Sequence, residues 1–366
     1  MRLADVARGA TPRDHSPAFT ATSSRRHQPV PERLLTGFRR RVAVVLLPLL
    51  LVCVAQAGAE DKPRSEAEKH CERARKLEAD NDLNGAEAAY REAVKVDPKM
   101  AAAYNDLGVL LARQDRYADA LALFDQALAA QGDYYNASVN KGVVLFRSGK
   151  KPEGVAALEA VTKIAPSFAR AHFELGNVYD ASGDLSKACG AYRECLKLDE
   201  TDAEAHNNFA WCLFRQHLYE DALAEFRLAI KHAPEAATPH NNMGWVLFQM
   251  GRLHDAAQEF EQAIKLNPDL PEAYNNLGQV LMVAQEVEGG LAQFRKALEV
   301  APTYAPAYLN LGKYLFDLGR MKEAIAPLEK YLELVPQSAD ADKIRDALAK
   351  AKAEAPTEKP KEAAAP

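Results

Sequence analysis

Asparagine recurs at one phase of the chain. Asn208, Asn242, Asn276 and Asn310 are spaced 34 residues apart, and Asn140 lies two such intervals before the first of them. A primary amide carries both N–H donors and a carbonyl acceptor, so a row of amides can bond the N–H and C=O groups of a peptide together. Each such bond contributes about 0.5–1.5 kcal/mol, so several in a row can hold an extended chain whatever its sequence.

We call Asn208, Asn242, Asn276 and Asn310 the asparagine ladder. It predicts a surface that binds an extended peptide. A second asparagine directly precedes three of these positions, at Asn207, Asn241 and Asn275. The alternative is structural: the amides solvate a groove or bond a neighbouring helix.

Two aromatic positions repeat with the same spacing. Trp211 and Trp245 are the only tryptophans of the chain, and each follows a ladder asparagine by three residues. Tryptophan is enriched at interaction hot spots, which favours a contact surface over packing against the next helix. Phe214 and Phe248 follow three residues later, and the pattern fits partner binding and core packing equally well.

Histidine and cysteine offer no catalytic or metal-binding pattern. His172, His206 and His240 also repeat every 34 residues. Metal ligands must converge on one ion, whereas packed neighbouring helices lie about 8–10 Å apart, so these histidines are interpreted as packing residues. Cys195 and Cys212 fit either small core residues or a disulfide in an oxidising compartment. Because no Ser-His-Asp grouping, phosphate loop or metal spacing occurs, we predict neither an enzyme nor a cofactor.

These residues belong to a period that covers most of the chain. Prolines, glycines and alanines recur at fixed phases from residue 67 to residue 338, which makes eight units of 34 residues. Each unit has the pattern of two amphipathic helices joined by a turn. Glycine supplies four of those turns and also the eighth position of most units, where two helices approach closely. The units are 67–100, 101–134, 135–168, 169–202, 203–236, 237–270, 271–304 and 305–338.

Within a unit the order of residues resembles the tetratricopeptide-repeat family. One unit shows this order in the residues Tyr274, Leu277, Gly278, Leu281, Phe294, Ala297 and Pro302. The resemblance implies an all-α, right-handed superhelical solenoid whose first helices line a concave groove. It also implies a protein-binding scaffold, and the ladder is similar to the one in the repeats of O-GlcNAc transferases. The lysine that this family's clamp for acidic C-termini requires is absent, so that partner is excluded.

The C-terminal region is predicted to cap the repeats. Residues 339–352 have the pattern of a solvating helix, and residues 353–366 have the composition of a disordered tail. Pro327 lies inside the second helix of the last unit, where we expect a kink.

The N-terminal region has the composition of an export signal. Arg39–Arg41 precede an apolar run, Val42–Val54, and alanines at 57 and 59 offer cleavage sites before a short linker at 60–66. We expect cleavage and a periplasmic or secreted protein, with an uncleaved anchor in the inner membrane as the alternative. The preceding residues 1–32 are unusually long for such a signal, so we infer that the true start lies downstream.

The charge distribution excludes one class of partner. Residues 1–59 hold nine arginines and three acids, a net charge of +6. Because the whole chain carries −5, residues 60–366 carry a net charge of −11. Nucleic acid binding requires clustered cations, so we predict a protein or peptide partner and no nucleic acid or small-molecule substrate. The sequence therefore predicts an adaptor that grips a partner in its groove, or an assembly subunit that docks through its convex face or its ends.

Overall fold

The structure, a computed structural model, describes residues 47–354 and the side chains of residues 63–354. The regular secondary structure of this range is entirely α-helical. The described residues fall into two compact units, which we call the N-terminal unit (47–198) and the C-terminal unit (199–354). The predicted all-α repeat fold is confirmed.

The N-terminal unit consists of four helical hairpins. Apart from α1, its first helices have 13 residues and its second helices have 14. The helices are α1 (Leu47–Ala79), α2 (Leu83–Val96), α3 (Ala101–Arg113), α4 (Tyr117–Ala130), α5 (Tyr135–Arg147), α6 (Lys151–Ile164), α7 (Ala169–Ala181) and α8 (Leu185–Leu198).

The C-terminal unit repeats the same hairpin four times and ends with one further helix. Its helices are α9 (Ala203–Arg215), α10 (Tyr219–His232), α11 (Ala237–Gln249), α12 (Leu253–Leu266), α13 (Pro271–Val283), α14 (Val287–Val300), α15 (Ala305–Asp317), α16 (Met321–Leu334) and α17 (Ala341–Glu354). One hairpin therefore occupies each predicted 34-residue unit.

A contact that recurs in most hairpins explains the regular spacing of small and large residues along the chain. Phe260 and Phe294 are fully buried on the second helices α12 and α14. A Cβ placed on Gly278 of α13 would lie 2.7 Å from a ring carbon of Phe294, and one on Gly244 of α11 would lie 2.9 Å from Phe260. The predicted close approach at the eighth position is thus confirmed, because a larger side chain there would displace the ring.

Half of the turns inside the hairpins depend on glycine. Gly149, Gly183, Gly251 and Gly319 all have positive φ, as their predicted turn role requires. The other four hairpins place a non-glycine residue at the same position, also with positive φ: Asn81, Asp115, His217 and Gln285. The turn geometry is therefore kept even where the sequence does not favour it.

The ends of the repeats differ in detail from the prediction. Residues 60–66, which we expect to be a linker, lie within α1, and this helix runs without a break from Leu47 to Ala79. The capping helix is confirmed but lies two residues further along the chain than expected, and its Ile344 packs into the same cluster as Leu328 and Tyr331. Ala353 and Glu354 belong to α17, and the rest of the predicted tail lies outside the described residues.

Three sequence features have a defined place in the fold. Helix α16 continues through the buried Pro327 and is as long as the other second helices, while the kink itself stays a prediction. Cys195 is a fully buried thiol, so the disulfide alternative is wrong for this residue, whereas Cys189 and Cys212 are disulfide-bonded.

The apolar run that we interpret as an export signal is only partly described. Residues 42–46 lie outside the described range, and residues 47–54 form the first turns of α1. Among residues 47–354, none of the helices combines the length and the apolar character that crossing a bilayer requires.

Candidate functional site

The asparagine ladder lies where neighbouring first helices of the C-terminal unit meet. Asn242 Nδ2 donates to Asn207 Oδ1 at 3.0 Å, and Asn276 Nδ2 donates to Asn241 Oδ1 at 3.0 Å. Asn310 Nδ2 makes the same bond to Asn275 Oδ1 at 2.8 Å. Each bond joins residues 35 positions apart, so α9, α11, α13 and α15 lie side by side and parallel.

Bonds within each helix complete the pattern. Asn207 Nδ2 donates to Asn208 Oδ1 at 3.0 Å, and Asn241 and Asn275 donate to the following asparagine at 3.4 Å. Donor and acceptor therefore alternate without interruption from Asn310 to Asn208. We call this chain of seven amides the asparagine relay; its members are Asn207, Asn208, Asn241, Asn242, Asn275, Asn276 and Asn310.

Burial divides the relay into two sets. Asn242 and Asn275 are 4% and 3% exposed, and Asn207 and Asn241 are also buried. The buried amides bond neighbouring helices, which is the structural role that the sequence left open. Asn208, Asn276 and Asn310 are half-buried. Because the relay uses only one of the two N–H groups of an amide, Asn276 and Asn310 retain donor capacity toward a partner.

Asn140 of the N-terminal unit has a different environment. Its Nδ2 donates to Asn105 Oδ1 at 2.8 Å, and its Oδ1 accepts from Arg170 Nη2 at 2.5 Å. Arg170 also donates to Asn136 Oδ1 at 2.7 Å, so two amides hold its guanidinium. Asn140 is therefore held between Asn105 and Arg170 and is only 2% exposed.

Burial also shifts the pKa values of the charged groups near this cluster. Burial raises the pKa of Glu174, against the opposing effect of the Arg170 charge, and burial lowers the pKa of Arg170. The charges of Arg170 and Glu174 act on each other in the opposite direction, but burial is the larger cause for both groups. In the C-terminal unit, burial similarly lowers the pKa of Lys313 and raises that of Asp317.

The aromatic residues that the sequence singled out form two pairs. The rings of Trp211 and Phe214 lie 4.9 Å apart, and those of Trp245 and Phe248 lie 5.7 Å apart. All four side chains are partly exposed. Each tryptophan lies one helical turn beyond its ladder asparagine, and each phenylalanine lies three residues beyond its tryptophan. Of the two interpretations of Phe214 and Phe248, the partly exposed position favours a surface role.

The repeated histidines make contacts within and between hairpins. His206 Nδ1 lies 2.6 Å from Glu225 Oε2, and His240 Nδ1 lies 2.7 Å from Glu259 Oε2. His172 Nε2 lies 2.9 Å from the carbonyl oxygen of Pro166. These contacts agree with their interpretation as packing residues. Within the described part of the chain, no three His, Cys, Asp or Glu side chains come close enough to share a metal ion.

Sequence reasoning missed two features of this site. The asparagines at 207, 241 and 275 were noted only as neighbours of the ladder, although each links two helices. Their own 34-residue spacing was the available signal. The Arg170 cluster was missed because arginine occurs at this position of the repeat in one unit only, although Asn136 lies 34 residues before it.

The chain was compared with family models and with known proteins. Models described as "Tetratricopeptide repeat" match residues 71–135, 111–172, 169–202 and 269–337, and one described as "TPR repeat" matches 244–282. Together these matches span well over half of the chain. No curated protein matches it.

Solved structures match parts of the chain, and one with a TM-score above 0.5 resembles it in fold. "Crystal structure of APC/C hetero-tetramer Cut9-Hcn1" is 14% identical with a TM-score of 0.57, and the match covers 74% of this chain and 52% of that one. "Crystal structure of MamA" is 24% identical, with a TM-score of 0.42 and coverage of 45% and 96%. "Functional Characterization of Pseudomonas Aeruginosa pilF" is 22% identical, with a TM-score of 0.49 and coverage of 58% and 96%.

Proposed function

Because the chain belongs to the tetratricopeptide-repeat family, we propose that it is a protein-interaction adaptor. Proteins built from this repeat are generally interaction scaffolds rather than catalysts. The partner segment binds across the first helices of the C-terminal unit, α9, α11 and α13. It lies against the exposed edge of the asparagine relay and the two tryptophan–phenylalanine pairs.

The observation that carries this proposal is the partial exposure of Trp211 and Trp245. Packing inside the unit leaves part of each residue exposed, although its side chain is large and apolar. They lie beside the half-buried Asn208 and Asn276, so apolar area and amide donors occupy one surface. A surface of this composition suits a peptide that contributes both side chains and backbone groups.

The burial of Asn242 changes the expected contribution of the ladder. Its amide links α11 to α9, so it serves mainly to fix the spacing of the helices that carry the tryptophans. Asn276 and Asn310 remain the best placed to bond a partner's backbone. Affinity then comes mainly from the aromatic pairs, and the exposed amides orient the bound segment.

We further propose that the protein acts outside the cytoplasm. The basic and apolar N-terminal segment supports this, as do the disulfide-bonded Cys189 and Cys212, since disulfides persist in oxidising compartments. N-terminal sequencing of the protein recovered from the cell envelope tests the proposal. A mature start near Ala57 or Ala59 is expected, and a full-length protein confined to the cytoplasm contradicts it.

The binding proposal is tested by capture of partners with the tagged full chain. The test variant carries Trp211→Ala and Trp245→Ala, and the matched control carries Gln258→Ala and Glu261→Ala, two exposed positions on α12. Circular dichroism verifies that all three proteins fold. We expect the same partner with the parent and the control, and its loss with the tryptophan variant. Retention of every partner by the tryptophan variant contradicts groove binding and indicates docking through another surface.

A further inference from the structure

Three first helices of the C-terminal unit, α9, α11 and α13, change from polar to apolar side chains between their N-terminal and C-terminal ends. On α9 the residues Glu204, Asn208, Trp211 and Phe214 follow one another on one face, spaced three or four residues apart. The corresponding residues of the next two helices keep this order from polar to apolar. They are Thr238, Asn242, Trp245 and Phe248 on α11, and Glu272, Asn276, Gln279 and Met282 on α13.

Because these helices are parallel, their ends form two different edges of one surface. The helix starts, together with the loops that lead into them, form what we call the loop edge (199–204, 233–238, 267–272, 301–306 and 335–340). The helix ends and the following turns form the turn edge (214–219, 248–253, 282–287 and 316–321). The asparagine relay runs between the two edges.

The loop edge is acidic, with four of its acids in 199–204 and none in 301–306. It holds eight acidic residues and no lysine or arginine: Asp199, Glu200, Asp202, Glu204, Glu235, Asp269, Glu272 and Asp340. Helix capping accounts for Asp202, whose side chain accepts from the first turn of α9. The hairpin fold itself does not demand acids here. The equivalent segments of the N-terminal unit (97–102, 131–136 and 165–170) hold two acids and two bases.

The turn edge carries exposed apolar residues and no excess of acids, since its charged residues are Arg215, Arg252 and Arg320 against Glu286 and Asp317. Leu218, Val283 and Leu318 are 44%, 51% and 42% exposed, which makes them three of the five most exposed large apolar side chains among the described residues. The partly exposed Phe214 and Phe248 lie on the same edge. Exposed apolar area that is concentrated on one side of a polar row is typical of a binding surface.

We infer that the partner segment is cationic on one side and apolar on the other, with lysine or arginine alternating with apolar residues. This inference rests on the proposed function and names the chemistry of the bound segment. Successive side chains of an extended chain point to opposite sides, so one set faces each edge. Cations toward the loop edge meet the acids, and apolar residues toward the turn edge cover the aromatic pairs.

Binding of synthetic peptides to the full chain tests this inference by fluorescence anisotropy. The probe is a labelled ten-residue peptide that alternates lysine and valine. One comparison peptide has the same composition with five valines followed by five lysines, and another alternates glutamate and valine. We expect the alternating lysine peptide to bind at least tenfold more tightly than either. Equal affinity of the two lysine peptides, or no measurable binding of the alternating one, overturns the inference.

Two variants test whether the loop edge is the source of the affinity for the alternating lysine peptide. Glu204→Gln with Glu235→Gln and Glu272→Gln removes three loop-edge charges, and we expect a three- to tenfold loss of affinity and a weaker dependence on salt. The matched control is Glu220→Gln with Asp221→Asn and Glu261→Gln, exposed acids of second helices, and should bind as the parent does. If both variants lose affinity equally, the attraction depends only on the net charge of the protein, and the assignment to the loop edge is overturned.

Failure of the inference is distinguishable from failure of the proposed function. If capture identifies a partner that depends on Trp211 and Trp245 but whose bound segment lacks alternating cations, the adaptor function stands and the inference falls. If no captured partner depends on the tryptophans, the proposed function fails first.

Discussion

Asn242 occupies the centre of the asparagine relay, where it both donates and accepts. Replacing it with alanine leaves Asn207 Oδ1 without its donor and Asn241 Nδ2 without its acceptor, and both groups are buried. We expect Asn242→Ala to lower the free energy of unfolding by about 1–3 kcal/mol, because buried polar groups without partners are costly. Urea denaturation measures the change.

Asn276→Ala provides the comparison within the same relay. Asn276 is itself half-buried, so the space that its side chain leaves is open to solvent and water can enter to bond Asn241 Oδ1 and Asn275 Nδ2. We therefore expect a loss of less than about 1 kcal/mol. Similar losses for the two variants would mean that burial does not determine the role of each amide. This contrast also separates stability from binding, since Asn276 is the better placed of the two to contact a partner.

Gly278 tests how tightly a first helix packs on its second helix. Its added Cβ would lie 2.7 Å from Phe294 and 3.1 Å from the backbone oxygen of Gly290, which cannot move aside easily. We expect Gly278→Ala to lower the free energy of unfolding by about 2 kcal/mol, measured by urea denaturation.

Gly289 is the matched control for that substitution. It is exposed on α14, and its added Cβ would approach Leu281 only to 3.6 Å, an ordinary contact. Alanine there should raise stability by about 0.5–1 kcal/mol through its higher helix propensity. The close-packing explanation fails if Gly278→Ala is also stabilising.

The sequence predicted the identity of the residues at the candidate site better than it predicted the contacts that they make. The 34-residue spacing predicts that Asn208, Asn242 and Asn276 occupy equivalent positions on successive first helices. The structure places them on α9, α11 and α13 in this way. Spacing does not determine whether an amide points toward the next helix or toward solvent. That choice depends on the distance between helices, which side-chain volumes such as Phe294 against Gly278 determine.

At the scale of the helical hairpin, the backbone conformation of Gln285 in the turn lowers the free energy of unfolding. Its φ of +68° is costly for a residue with a Cβ, and the side chain is exposed. We expect Gln285→Gly to raise the free energy of unfolding by about 0.5–1 kcal/mol, because glycine adopts this conformation readily. Thermal denaturation followed by circular dichroism measures the change.

Gly251→Ala is the reciprocal substitution. It has the same turn position in the preceding hairpin, with φ of +76°, and alanine there should cost about 1 kcal/mol. An unchanged or raised melting temperature would show that the turn can adopt another conformation.

Helix boundaries were largely predictable because the closing prolines and the turn glycines repeat in register. The exception is α1, where the expected linker at 60–66 is helical. Nothing in that stretch forces a break: Pro63 is the only residue that disfavours a continuing helix, and the helix passes through it. Composition alone did not distinguish a polar helical extension from a linker.

At the scale of the whole molecule, repeat proteins derive their stability from contacts between neighbours. The fold class followed from periodicity because each hairpin cannot bury its apolar face alone. The two different edges of the C-terminal unit emerged only with the structure, since they depend on the parallel alignment of four helices. Sequence position alone does not show which loops share an edge.

Removal of α17 tests how far stability propagates from the end of the C-terminal unit. Ile344 covers the cluster that contains Leu328 and Tyr331, and Lys350 lies over the ring of Phe316 at 5.6 Å. Truncation after Ala339 should expose this cluster and accelerate hydrogen exchange in α15 and α16 at least tenfold. Exchange in α9 and α10 should stay unchanged, because they do not contact α17.

Ile344→Ala provides the graded control, since it thins the same contact without removing the helix. We expect its exchange rates in α15 and α16 to fall between those of the parent and the truncated chain. Mass spectrometry of exchanged peptides resolves each helix separately. Equal acceleration from α9 to α16 would mean that the unit opens as a single cooperative block. A gradient that fades toward α9 would mean that each hairpin depends on its neighbours alone, so the surface around Trp211 and Trp245 stays formed when the end frays.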